Sequence, residues 1–418
     1  MASKLPPLQR FKSLHTNENI LIAMDGLLHS KAVFVTTFLM TYMIRMSVSD
    51  SPDAYISYRL LAFIFMGLFS VVLLPFLKKF TLASWRLGAL LSVVQIGAII
   101  LWSELDAFPL ILALITSIES TLYWRPNSYF SIVEVRNERR LRFQSMKQIT
   151  IEVVKIVSPI ALGLLISDTG FTMTATVILA ISIIQLFVSL LFRPRRKIKF
   201  QRHRIRPVLK HVFRNSHLQK IFVIQFLRGF MVSGAAYLII PTLLVYNLTS
   251  SDIDLGIYTS IGAALAIALI LTFRRVDTKY GARWYLAISS IPAFVLPMLL
   301  VFMSENVFVT AVFFIFSVAV LESLFNVFLT NRYQGSIRRN VLDDTYRLEV
   351  ESIAEVFLCS GRVLSMALLL AMVVTTGVTW LPIFAAICSL VLIPIILIST
   401  TARIRELEID EAGLSSVQ

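Results

Sequence analysis

Stretches of about 20 mostly apolar residues follow one another along nearly the whole chain, each long enough at 1.5 Å per residue to cross a hydrocarbon layer about 30 Å thick. Twelve are read, near residues 20–44, 54–76, 84–103, 107–124, 148–167, 171–192, 218–245, 254–273, 283–303, 306–329, 349–374 and 379–400. Lipid offers the backbone no water, so each crossing segment must satisfy its own N–H and C=O groups as a helix. One soluble core is excluded by composition, since 57% of the 418 residues are hydrophobic, with 30 Phe, and only 15% are charged. The expected fold class is an all-α polytopic membrane protein with twelve transmembrane helices. Residues 1–19 carry Lys4, Arg10 and Lys12 with no short apolar core and cleavage pattern, so the first span is expected to act as its own insertion signal.

The loops fall into two alternating sets. Lys78 and Lys79, Arg136 to Lys147, Arg193 to Arg214, Arg274 to Arg283 and Arg332 to Arg347 are basic. The others hold Asp50 and Asp53, Glu104 and Asp106, Asp168, Asp252 and Asp254, or Glu305, and lack Lys and Arg. Basic loops stay on the cytoplasmic side, which predicts an even number of spans with both termini in the cytoplasm of a plasma-membrane protein. The net charge of +14 is then a matter of topology and anionic lipid, and no nucleic-acid partner is expected. Trp85, Trp102, Trp124, Trp284 and Trp380 all fall at expected span ends, as interfacial anchors do. Cys359 and Cys388 lie in apolar runs and are expected to be free thiols acting as small hydrophobes.

Arg193 to Arg214 holds ten Lys and Arg and no Asp or Glu, and it sits near the middle of the chain. It divides the sequence into an N-terminal six-helix bundle (1–192), a basic connector (193–217), a C-terminal six-helix bundle (218–402) and a tail (403–418). The bundles echo each other. Asp25-Gly26 is matched by Arg228-Gly229, Glu119-Ser120 by Glu322-Ser323 and Glu152-Val153 by Glu355-Val356, each 203 residues apart.

With twelve spans, two parallel six-helix repeats and a long basic central loop, the chain resembles the major facilitator superfamily over essentially its whole length. Asp277, Lys279, Tyr280, Gly281 and Arg283 resemble that family's loop motif after span eight, with one extra residue before the glycine. The counterpart after span two, Lys78 to Thr81, has neither Asp nor Gly. Ser158, Pro159 and Gly163 in span five resemble the signature of the family's antiporters, and no arginine stands where its drug/proton antiporters carry one in span four. The resemblance implies a secondary active transporter of a small organic molecule, working by alternating access and able to work as a monomer. The span-five motif leans to export, and proton coupling is expected through one of the glutamates inside the spans.

An ionised group at the bilayer centre costs at least about 2.5–3.5 kcal/mol, so charges inside spans need a partner, a wet cavity or a proton. Glu119, Glu152, Glu322 and Glu355 are the proton-coupling candidates. Asp25 and Arg228 occupy matching places in spans one and seven and could form a gate between the halves, with Asp25 to His29 as the alternative pairing. Lys155 and Arg362 are expected to pair along their own helices with Glu152 and Glu355. Tyr123, Tyr237 and Asn326 are candidates for the substrate cavity, and Arg45 and Arg59 are expected to reach toward Asp50 and Asp53. No phosphate-binding loop, zinc motif or paired-cysteine spacing occurs, so neither a cofactor, a metal site nor an enzymatic activity is expected. The partners expected are a small-molecule substrate, protons and lipid, with anionic headgroups at 193–214. Solute uptake, a lipid or glycolipid translocase, and a non-transporting sensor or scaffold stay open as rival readings.

Overall fold

The computed structural model describes residues 16–47, 52–103, 105, 107–135, 137–194, 205–231, 239–276, 281–303, 305–325, 328–329, 347–376 and 380–398. Asn326, Tyr237, Asp277 to Tyr280, residues 195–204 of the connector and the tail lie outside these residues.

Among the described residues ten helices are long and apolar enough to cross a membrane: Thr16–Met46, Asp53–Val72, Thr81–Trp102, Met146–Thr169, Phe171–Leu191, Asp252–Thr272, Trp284–Phe302, Val307–Phe325, Leu348–Thr375 and Leu381–Ile398. Phe108–Val133 supplies span four, and Ser216–Met231 with Ile240–Thr249 supplies span seven.

The helices bury their polar groups among an apolar interior and turn apolar side chains outward as well, where a soluble bundle has a polar surface. Span six shows the pattern directly. Ser182, Gln185 and Ser189, spaced by three and four, are fully buried, while Ile184, Phe187 and Leu191 are half or more exposed on the outer face. Elsewhere on the outside Phe302 and Phe308 are among the most exposed side chains. Such a surface is stable only against lipid.

Two expectations are corrected by helix length. Span four continues past Trp124 to Val133, and the helix of span five already begins at Asn137. Pro126 does not end the first of these, because the helix is supported by its neighbours inside the bundle. The segment from Asn137 to Lys147 is therefore helix and not loop. Trp124 accordingly stands well inside its helix, edge-on to His29 with ring centroids 6.0 Å apart. Trp85 is fully buried among Tyr123, Phe130 and Phe192 and anchors the bundle rather than the interface. Trp102, Trp284 and Trp380 remain substantially exposed at helix ends, as expected.

The two halves meet along two long seams, span two on span eleven and span five on span eight. The second is a backbone-close crossing: an alanine Cβ at Gly256 would stand 2.5 Å from the Pro159 carbonyl oxygen, and one at Gly163 2.8 Å from that of Asp252. At one end of the molecule, connector helix Ile205–Arg214 buries Val208 and Val212 against Leu218, Phe222, Val350 and Ile353. This ties the end of the connector to spans seven and eleven.

Candidate functional site

The charges inside the spans form a set of buried pairs, some within a half and some between halves. In the first half, Lys31 Nζ stands 3.0 Å from Glu119 Oε1, with both side chains 5% exposed. Lys31 also donates to Ser92 Oγ (3.0 Å) and Gln95 Oε1 (2.9 Å), and Ser92 Oγ donates to Glu119 Oε1 (2.8 Å). Gln95 Nε2 in turn donates to Thr116 Oγ1 (2.6 Å). Spans one, three and four are joined through this network, and neither charge is left bare.

Asp25 lies deeper toward the Lys78 end. Lys147 Nζ is 2.6 Å from Asp25 Oδ2, and Asn127 Nδ2 donates to Oδ1 at 2.7 Å. The expected gate between Asp25 and Arg228 is therefore not the pairing present here. Lys147, assigned to a loop by the sequence, is carried to Asp25 by the N-terminal extension of span five. His29 meets the Asp25 backbone carbonyl at 2.7 Å through Nδ1 and does not engage the carboxylate.

Between the halves, Lys155 of span five donates to Glu322 Oε1 of span ten at 3.3 Å. Glu322 is 35% exposed in its side chain and Lys155 18%. Glu322 sits in a π-helical stretch, Ser317–Phe325, whose wide turns recur at functional sites in other proteins. The expected pairing of Lys155 with Glu152 along one helix is replaced by this cross-half bond. Glu152 is buried, accepts from Gln148 Nε2 at 2.5 Å through Oε1, and its Oε2 has no hydrogen-bond partner.

A second cross-half group centres on Glu355 of span eleven. Arg125 Nη2 of span four donates to Glu355 Oε2 at 3.1 Å, and Arg362 Nη1 reaches Oε1 at 3.4 Å. The pairing of Glu355 with Arg362 is the one the sequence spacing anticipated. Arg228 lies in Coulombic range of the same carboxylate and contacts Gln225 Oε1 at 3.3 Å.

Both ends of the interface are also tied. At one end Arg45 Nη2 stands 2.6 Å from Asp252 Oδ2, Arg45 Nε donates to the Tyr246 hydroxyl at 2.7 Å, and Thr41 donates to Asp252 at 2.9 Å. At the other, Lys78, in the short helix Leu74–Lys79 that follows span two, pairs with Glu349 of span eleven. Arg45 thus turns to the opposite half, away from the neighbouring loop it was expected to reach, and Arg59 lies over the Phe63 ring at 4.7 Å. Tyr123, expected on the cavity wall, is fully buried against Trp85.

Sequence reasoning passed over three of the cations in these groups, Lys31, Arg125 and Lys147. Lys31 stands in the middle of an apolar run, the same signal that picked out Lys155. Arg125 and Lys147 were hidden by the span ends, since both were placed in polar segments that are helix. Among the described residues, no three His, Cys, Asp or Glu side chains gather as a metal site.

No protein-family model matches the sequence, and no curated protein matches it. Solved structures do. The chain is similar to a bacterial homologue of the iron transporter ferroportin in an inward-facing state, with 14% identity, coverage of 94% of this chain and 100% of that one, and a TM-score of 0.65. It is similar to the nucleoside transporter NupG, with 15% identity, coverage of 92% and 98%, and a TM-score of 0.65. It is likewise similar to a POT family transporter in complex with 5-aminolevulinic acid, with 12% identity, coverage of 90% and 95%, and a TM-score of 0.64. Helical spans with polar groups turned inward, two halves meeting on two seams, and full-length likeness to these transporters define one architecture. The chain has the major facilitator fold, an all-helical membrane fold of twelve spans in two parallel six-helix repeats.

Proposed function

We propose that the protein is a secondary transporter that moves a small organic molecule across the plasma membrane by alternating access of its halves, exchanging it for protons in the direction of export, with both termini in the cytoplasm. The fold supports transport as a class. The span-five residues Pro159 and Gly163, at the close crossing with span eight, support export, because they are the positions that resemble the antiporter signature.

The observation that carries proton coupling is the bond from Lys155 to Glu322 across the halves. Lys155 has a second carboxylate, Glu152, three residues earlier on its own helix. When the halves part at this level, Lys155 loses Glu322 and turns to Glu152, whose Oε2 has no hydrogen-bond partner in the closed arrangement. Glu322 is then left without a cation, and an unpaired carboxylate near the bilayer centre is relieved by taking a proton. Closure returns Lys155 to Glu322 and expels that proton. Glu119 has no such alternative, because Lys31 and Ser92 bind it within one half, and we assign it to structure. The connector rests on anionic headgroups: Lys210, Phe213 and Arg214 are exposed beyond the face that Val208 and Val212 bury.

The test is flux in sealed vesicles holding a pH-sensitive dye, challenged with pools of sugars, amino acids, organic acids, amines and lipophilic drugs. An active pool should change the lumenal pH, and Glu322→Gln and Lys155→Met should each reduce that change at least about tenfold. Labelled compound crossing with no change of pH would refute the coupling, and no crossing from any pool would refute transport.

A further inference from the structure

We infer that the place where spans two, four, seven and eleven converge is a binding site for a small organic anion bearing a carboxylate or phosphate group; with the transport reading above, on which this last step rests, such an anion is the cargo. The argument begins with charge. Arg125, Arg362 and Arg228 surround Glu355, the first two at 3.1 and 3.4 Å and the third in Coulombic range. Glu351, one turn earlier on the same helix, is the other carboxylate on that helix face, and its backbone carbonyl accepts from Arg125 Nη1 at 2.9 Å.

Hydrogen bonding points the same way. Among the described residues, Arg362 Nε is buried and has no hydrogen-bond partner, and besides Glu355 its Nη1 meets only the weak acceptor Met66 Sδ, at 3.8 Å. Its guanidinium lies 5.0 Å from the centre of the Phe63 ring, which Arg59 also approaches, at 4.7 Å. A planar fork held on a ring with donors to spare matches a two-oxygen acceptor, which carboxylates and phosphates present and neutral or cationic solutes do not. The group is also reachable, since Arg125, Arg362 and Glu355 retain 12%, 16% and 21% side-chain exposure. Glu355 then acts as the protein's own stand-in for the ligand, holding the arginines until an anion displaces it.

The test is thermal stability of the purified full chain with pools of mono- and dicarboxylates and of glycerol and sugar phosphates at high-millimolar concentration. Succinamide, glycerol and putrescine serve as uncharged and cationic controls, and phosphatidylglycerol as an anionic headgroup. Soluble anions should raise the melting temperature, Arg362→Gln and Arg125→Gln should abolish the rise, and Arg362→Lys should keep part of it. Glu355→Gln should do the opposite and tighten anion binding about tenfold or more, because it removes the competing carboxylate. That variant decides the matter if an arginine variant does not fold. The site is overturned if no soluble anion acts, if the controls act as strongly, if only phosphatidylglycerol acts, or if Glu355→Gln weakens binding. Vesicle flux separates the two readings. Arginine-dependent anion binding without flux keeps the site and removes transport, whereas flux of neutral or cationic compounds keeps transport and removes the site.

Discussion

Glu119 and Lys31 show what a structural charge pair in this fold requires. Each is almost fully buried, and together with Ser92 and Gln95 they use their polar atoms on one another. Breaking such a pair from one side leaves an uncompensated charge, at a cost of about 3–5 kcal/mol, whereas replacing both partners by apolar residues is close to neutral. Glu119→Gln should therefore lower the melting temperature markedly, and Lys31→Met with Glu119→Leu should recover most of the loss. If the double variant were no more stable than the single one, the pair would not be the structural unit described. Individual charges inside apolar runs were legible from the sequence, as Glu119, Glu152, Lys155, Glu322 and Glu355 show. Their partners were less so. Of the pairings expected from spacing, Glu355 with Arg362 is present, but Lys155 crosses to the other half and Asp25 takes Lys147. Helical spacing ranks neighbours on one helix and says nothing of a stronger partner on another.

At the scale of elements, the crossing of spans five and eight is set by backbone contact. Gly256 lies so close to the Pro159 carbonyl that even a methyl group at this position must push the helices apart. Overpacking of this kind costs about 1–3 kcal/mol, so Gly256→Ala should give a folded but less stable protein whose flux falls more than its stability does. Equal stability and flux in the variant would mean that the seam yields freely. Twelve apolar runs were enough to find the spans, since length and hydropathy are strong signals in lipid. Their ends were not. A basic, polar sequence such as 137–147 is read as loop, yet it continues a helix because the bundle supports it, and this is why Lys147 and Arg125 were misplaced.

For the whole molecule, the seams and the cross-half charge groups make the interface a set of separable ties. Arg45 with Asp252 closes one end, Lys78 with Glu349 closes the other, and the groups around Glu322 and Glu355 lie between them. The proposed alternating access requires that this interface, tied at both ends by contacts of comparable kind, open at either in turn. The repeat and the two halves could be anticipated from residues 203 apart, but the contacts between halves depend on how two bundles face one another, which no local pattern encodes. The direct test of the central claim is pulsed electron paramagnetic resonance on two spin-label pairs in a background lacking Cys359 and Cys388. Met46 with Asn247 spans one end, and Lys79 with Arg214 spans the other. Alternating access predicts that each pair shows two distance populations and that Glu322→Gln, which mimics the protonated acid, shifts them in opposite directions, one end closing as the other opens. Single populations that do not move, or two pairs that lengthen together, would contradict it.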